Sequence, residues 1–257
     1  MKTRHRLTLV AALAAAPCTL AAQAAPGGAL PAPDSIVARY VEAIGGRAAV
    51  ERQPARWDRG RVEIAAQGLT LTWEAFSGGG RLSTRSELPG FGVIRTGWDG
   101  EVAWSLNPAA GPSILEGNAA LQMQQGADPL AVLHPARYVA SMRTVEETDC
   151  GGARCWRVRV TTPWGESYDE LYDTATGLLR GTVRRQSTPQ GDIEVVSEIT
   201  EYRTVAGVRL PRVSRARMMG MEMLTTVDTS EVRTIPDSAL AAPPEIRALR
   251  GGPPRDD

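Results

Sequence analysis

From Trp57 onward, apolar and polar residues alternate one for one, and this period of two predicts a succession of strands. Arg61-Val62-Glu63-Ile64 alternates, and Leu69, Leu71 and Trp73 share one face against Thr70, Thr72 and Glu74. Further strands are expected over 81–87 and 91–98, parted by Pro89-Gly90. Asp99-Gly100 is a strong hairpin signal before the alternating Val102, Trp104 and Leu106. Asn107-Pro108 and Gly111-Pro112 then read as sheet breakers. Strands resume over 139–147, and 154–160 alternates most cleanly, with Trp156, Val158 and Val160 inward and Arg157 and Arg159 outward. Segments 167–173, 178–186, 192–203, 209–218 and 221–233 complete the series through short turns.

Before Trp57 the spacing is helical. Ile36, Val37, Tyr40, Val41 and Ile44 line one face of an expected helix over 34–44, with Asp34 or Ser35 as its N-cap and Gly45-Gly46 as its stop. A second short helix is expected over 47–52, closed by Pro54. Residues 114–138, broken by Pro129 and Pro135, predict one or two helices crossing an end or mouth of the sheet. Pro236, Pro243 and Pro244 mark the end of the sheet, and 245–249 reads as a last helical turn.

Strands joined by hairpins form an antiparallel sheet, and so many strands must curl or close. The expected fold is mainly β with helices: a strongly curved antiparallel sheet or open β-barrel of about 11–12 strands, with helices covering its concave side.

The start of the chain has the form of an export signal. Lys2, Arg4 and Arg6 precede an apolar run from Leu7 to Ala16, and Ala22-Gln23-Ala24 supplies small residues for cleavage near Ala24 or Ala25. The expected organisation is a signal peptide over 1–25, a flexible Pro/Gly/Ala spacer over 26–33, a single domain over 34–249 and a disordered tail over 250–257. A periplasmic location follows. No other apolar run approaches the ~20 residues of a membrane helix. Cys18 lies within the signal, where Pro17 breaks a lipoprotein pattern. Cys150 and Cys155, flanking Gly151-Gly152 in an exported chain, read as a structural disulfide rather than a redox pair.

The formal net charge of the whole chain is zero, and the signal holds three of the basic residues, so no basic surface for nucleic acid is expected. Lys2 is the only lysine, which removes Schiff-base, Ser-Lys and P-loop chemistry from the mature protein. His134 is the only histidine beyond the signal and has no local partners, so it reads as a structural or surface residue. Nucleophile-elbow and His-Glu-x-x-His motifs are absent. The doublets Glu146-Glu147 and Asp169-Glu170 cannot act as ready-made acid pairs, because neighbours on a strand point to opposite faces; they read as parts of a solvated face. No catalytic residue, metal ligand or cofactor is assigned.

Three stretches resemble the LolA/LolB superfamily, in the branch of LolA-like, outer-membrane lipoprotein-sorting proteins. They are Ile36-Val-Ala-Arg-Tyr-Val-Glu-Ala-Ile-Gly-Gly-Arg-Ala-Ala-Val50, Leu88-Pro-Gly-Phe-Gly-Val-Ile-Arg-Thr-Gly-Trp-Asp-Gly-Glu-Val-Ala-Trp-Ser-Leu-Asn-Pro108 and Ile235-Pro-Asp-Ser-Ala-Leu240. The resemblance implies a concave apolar surface that shields acyl chains during transfer through the periplasm. The partner it implies is a lipid or lipoprotein acyl chain, together with an envelope protein.

The residues expected on that surface are Leu71, Trp73, Trp104, Trp156, Met221 and Met223, partly covered by 114–138. The leading expectation is a non-enzymatic periplasmic carrier or binding protein for a hydrophobic ligand. The alternative is an envelope structural or interaction module whose barrel is filled by its own side chains, and a hydrolase ranks third.

Overall fold

A computed structural model describes residues 29–188 and 191–251. The expected signal segment lies outside these residues. Helix α1 (Pro33–Ala43) and the short α2 (Arg47–Glu51) lead into β1 (Arg56–Ile64), β2 (Leu69–Gly78), β3 (Arg81–Leu88), β4 (Gly92–Trp98), β5 (Ala103–Asn107) and β6 (Gly111–Leu115). Helix α3 (Gly117–Ala127) and two single turns of 3-10 helix then precede β7 (Ser141–Asp149). The second half holds β8 (Arg154–Thr161), β9 (Ser167–Asp173), β10 (Leu179–Thr188), β11 (Gly191–Val205), β12 (Val208–Met218) and β13 (Met221–Val232). Two short helices, α4 (Asp237–Leu240) and α5 (Pro244–Arg250), end the described chain.

All thirteen strands form one antiparallel sheet in the order β6-β5-β4-β3-β2-β1-β13-β12-β11-β10-β9-β8-β7. Every neighbour is a hairpin partner except β1 and β13, whose pairing joins the two halves. The extra strand beyond the expected eleven or twelve is β6. Asn107 and Gly111 do not break the sheet but face each other across a hairpin turn, and Pro112 is tolerated because β6 is an edge strand. The N-cap of α1 is Ala32 rather than Asp34 or Ser35. Pro33 takes the first helical position, where its fixed φ and missing N–H cost nothing, so the helix starts inside the expected spacer.

The sheet is curved and unclosed, and α3 shows the sense of the curl. It packs on β3, β4 and β5, while Gln122 of the same helix donates to both carboxylate oxygens of Glu166 in the β8–β9 loop, at 2.9 and 2.8 Å. Laid flat, β3 and β9 would be about 34 Å apart. An eleven-residue helix is about 16 Å long. The two wings must therefore bend toward α3, and the face it touches is the concave, inner one.

Helix α1 closes the same face on one wing. Ile36 packs on Val158, Val160, Tyr168 and Tyr172, and Val41 and Ile44 join Val50 and Leu133 in an adjoining cluster. Arg39 donates to the carbonyls of Thr174 and Ala175, and the carbonyl of Ile44 accepts from the Arg209 N–H at 2.7 Å. On the other wing the outer face is covered as well: Ala242 and Ile246 bury Trp104 completely.

Cys150 and Cys155 are disulfide-bonded across the β7–β8 hairpin. The turn is also held by Asp149 Oδ1, which accepts from the N–H groups of Gly151 and Gly152. So short a loop contributes at most about 2 kcal/mol on the chain-entropy account. Titrating the denatured, unreduced mature protein with a thiol reagent should reveal no free cysteine, and two reactive thiols would refute the bridge.

Gly45 tests the docking of α1. Its φ is +126°, and a Cβ there would lie 2.2 Å from the backbone oxygen of Gly207. Gly45→Ala should cost about 2 kcal/mol or more in urea unfolding, because neither backbone can give way. Gly79→Ala, also at positive φ but with nothing within 4 Å, should cost less.

Candidate functional site on the inner face

Residues opposite one another on adjacent strands share a face, so the register traces rows across the concavity. One row runs Ile94, Ser86, Trp73, Gly60, Val227. A second runs Leu71, Val62, Thr225, Ser214, Ile199. A third runs Met223, Ala216, Ser197, Thr182, Glu170. The fourth runs Met221, Met218, Val195, Arg184, Tyr168. In all four rows the only charged residues are Glu170 and Arg184, on neighbouring strands.

The outer face is the reverse. Arg159–Asp169, Arg157–Glu146, Arg215–Glu222 and Arg217–Glu222 are ion pairs between adjacent strands there. Pairs of this kind add little stability, but they hold the outer face in water and set which face must find cover.

Of the six residues expected on the apolar surface, Leu71, Trp73, Met221 and Met223 fall in the rows and are half-buried. The Trp73 ring lies over Gly60, where a Cβ would meet it at 2.8 Å, so it lies against the sheet rather than standing away from it. Met221 Sδ accepts from Gln67 Nε2 at 3.5 Å. Trp156 shares the inner face but packs with the cluster beneath α1. Trp104 does not join them. Its pairing with Gly97 and Ile114 sets it on the outer face, where Ala242 and Ile246 bury it. Strand alternation alone cannot say which of two faces a strand turns to the concavity.

The larger inner cavity, about 1000 Å³, lies beside these residues, between α3, the β8–β9 loop and strands β9–β11. Gln122 and Gln125 line one side and Trp164, Tyr168, Glu170 and Arg184 the other. Its walls are thus more polar than expected. The Arg184 guanidinium lies 3.7 Å above the Tyr168 ring, and among the described residues it forms no ion pair within 4.0 Å. Tyr172 Oη donates to Glu170 Oε2 at 2.6 Å. Burial pushes the Glu170 carboxyl above the usual carboxylate range, against the smaller lowering effects of the Tyr172 hydrogen bond and nearby Arg184. Burial also pushes Tyr40 up to about 12, and its ring meets that of Tyr172 edge-on at 5.5 Å.

The solvated reading of the acidic doublet holds for only part of it. Asp169 accepts two hydrogen bonds from Arg159 on the outer face, whereas Glu170 points into the cavity. The available signal was its position between Tyr168 and Tyr172, one residue off the alternation of its neighbour. His134 is exposed, as are Glu146 and Glu147, which pair with Arg157 and Arg154. Among the described residues no cluster of three His, Cys, Asp or Glu could hold a metal, and no helix is long and apolar enough to cross a membrane.

A half-open antiparallel sheet whose concave face is roofed by helices defines the class of fold. No family model and no curated protein matches the sequence. Solved structures do match. A LolA superfamily protein from Nitrosomonas europaea aligns at 11% identity and a TM-score of 0.56, covering 83% of this chain and 99% of its own. A DUF1329 family protein from Desulfovibrio piger aligns at 12% identity and a TM-score of 0.55, covering 81% and 98%. A candidate outer membrane lipoprotein-sorting protein domain from Vibrio parahaemolyticus aligns at 8% identity and a TM-score of 0.52, covering 78% and 93%. The chain has a LolA-like fold.

The raised Glu170 pKa carries a stability consequence. A carboxyl raised in the folded state stabilises below its unfolded pKa and loses that contribution as pH rises through the folded value. Glu170→Gln should therefore raise the melting temperature at pH 8, and the gain over wild type should vanish at pH 4. An equal gain at both pH values would show that ionisation of Glu170 plays no part.

Proposed function

We propose that the protein is a carrier or binding protein for an amphiphile, a lipid or lipoprotein acyl chain, in the periplasm. The observation that carries this reading is the segregation of charge: four cross-strand rows of the inner face hold only Glu170 and Arg184, and a cavity of about 1000 Å³ opens at that end. The acyl chain would lie along Leu71, Trp73, Met221 and Met223. Each methylene withdrawn from water contributes about 0.8 kcal/mol. Methionine side chains adapt to chains of different length and branching. The polar end would face Arg184, Gln122 and Gln125. Binding by burial needs no catalytic group and no cofactor, and the reading is of a non-enzymatic protein.

Export supports the location: residues 1–25 are taken as a signal cleaved near Ala24 or Ala25, ahead of one domain over 34–249 and a tail over 250–257. A donor or acceptor protein of the envelope completes the proposal. The likeness to the lipoprotein-sorting domain supports it at the level of fold.

A fluorescent fatty acid should bind the mature protein with micromolar affinity, about −8 kcal/mol. Met223→Glu should weaken binding about tenfold or more by placing a charge against the chain. Arg143→Glu should leave it unchanged, because Arg143 is exposed and lies opposite Arg159 on the outer face. No binding by the wild type, together with native mass spectra free of co-purified lipid, would replace the carrier with a self-filled structural module.

A further inference from the structure

The two rims of the sheet differ in kind. Because the strands alternate in direction, the loops β1–β2, β3–β4, β5–β6, β8–β9 and β12–β13 all emerge at one rim. The loops β2–β3, β4–β5, β7–β8, β9–β10 and β11–β12 emerge at the other. The second rim is tied down by charge and helices. Arg81 pairs with Asp237 at 2.7 Å, Arg250 pairs with Asp99 and Glu101, and Arg39 and Ile44 hold the β9–β10 and β11–β12 turns.

The described loops of the first rim carry almost no charge. They read Ala65-Ala66-Gln67-Gly68, Pro89-Gly90-Phe91, Pro108-Ala109-Ala110, Thr162-Pro163-Trp164-Gly165-Glu166 and Met219-Gly220. The one charge, Glu166, has both oxygens occupied by Gln122. At the crests, Phe91 is 43% and Met219 65% exposed. Met219 is held outward by its backbone: φ is +51° there and +76° at Gly220, a two-residue hairpin turn that leaves the Met219 side chain at the tip. Exposed apolar residues occur elsewhere, but Val232 and Leu249 sit among Glu231, Arg233, Arg247 and Arg250.

This rim is also where the apolar trough runs out. Met218 and Met221 are the last pair of β12 and β13 before the Met219-Gly220 tip, and Gln67 of the neighbouring loop touches Met221. An apolar crest continuous with the methionine-lined end of the trough fits the headgroup–acyl boundary of a bilayer, where apolar side chains leave water and no charge at the crest must be desolvated.

We propose that the rim carrying Phe91 and Met219 docks on a lipid membrane surface, and that an acyl chain enters the trough past Met218 and Met221. The second clause rests on the carrier reading, and the docking surface stands on its own. Contact depends on apolar insertion, with no arginine at the crest, so it is insensitive to salt.

The test is co-flotation of the mature protein with uncharged phosphatidylcholine vesicles, run beside fatty-acid binding in vesicle-free buffer. The wild type should float equally at about 50 mM and about 500 mM salt. The double variant Phe91→Glu, Met219→Glu should lose about tenfold or more of its vesicle partitioning while keeping wild-type fatty-acid affinity and melting temperature, since both side chains are exposed. Val232→Glu should float like the wild type. Absence of flotation, or flotation unaltered in the double variant, overturns the docking rim even where fatty acid binds. Flotation lost in the double variant alone upholds the rim even if fatty acid does not bind, in which case the carrier reading fails by itself.

Discussion

The structure depends on a single constraint: an antiparallel sheet of thirteen strands that does not close must keep one face in water and cover the other. Alternation of charge meets the first half. Arg159 with Asp169, and Arg215 and Arg217 with Glu222, keep the outer face wet. Curling meets part of the second, bringing β3 and β9 to opposite sides of α3. The pairing of β1 with β13 makes this possible, because it turns two successive runs of hairpins into one continuous surface.

Cover on the inner face is uneven, and that unevenness makes a site. Beneath α1 the face is packed: Val158 and Val160 are fully buried and Tyr172 nearly so. Between β2 and β12 the rows contain small or flexible residues, such as Gly60, Ala216, Met221 and Met223, while α3 packs on β3, β4 and β5. The polar residues gather at the α3 end, where Arg184 lies on Tyr168 and Glu170 accepts from Tyr172. Apolar at one end and polar at the other, the concavity has the same asymmetry as an amphiphile.

The two C-terminal helices do the opposite work. Leu240, Ala242 and Ile246 are buried on the outer face of the β2–β6 wing, where Trp104 needs cover. Their ion pairs through Asp237 and Arg250 fasten the charged rim. With α1 also docked at that end through Arg39 and Gly45, the rigid attachments concentrate at one rim and the opposite one is left apolar.

Much of the fold was legible in residue order. Period-two alternation located twelve of the thirteen strands, helical spacing located α1, and Cys150 with Cys155 announced their bridge. These are local properties, set by the direction of consecutive side chains and the chemistry of a turn. Strand β6 was hidden because Pro112 is a breaker everywhere except at an edge, and being at an edge is a property of the whole sheet. The facing of Trp104 was hidden for a related reason. Alternation says that Trp104 and Ser105 point opposite ways, but only the chain of pairings from β5 to β1 says which way is inward. Arg184 was silent as well, and Glu170 read as part of a solvated doublet, both being ordinary strand residues until the curl brought α3 over them. The sequence by itself determined the strands, their two-faced character and the turns; the tertiary structure alone decided which face became a cavity, because curvature arises from contacts between residues far apart in the chain.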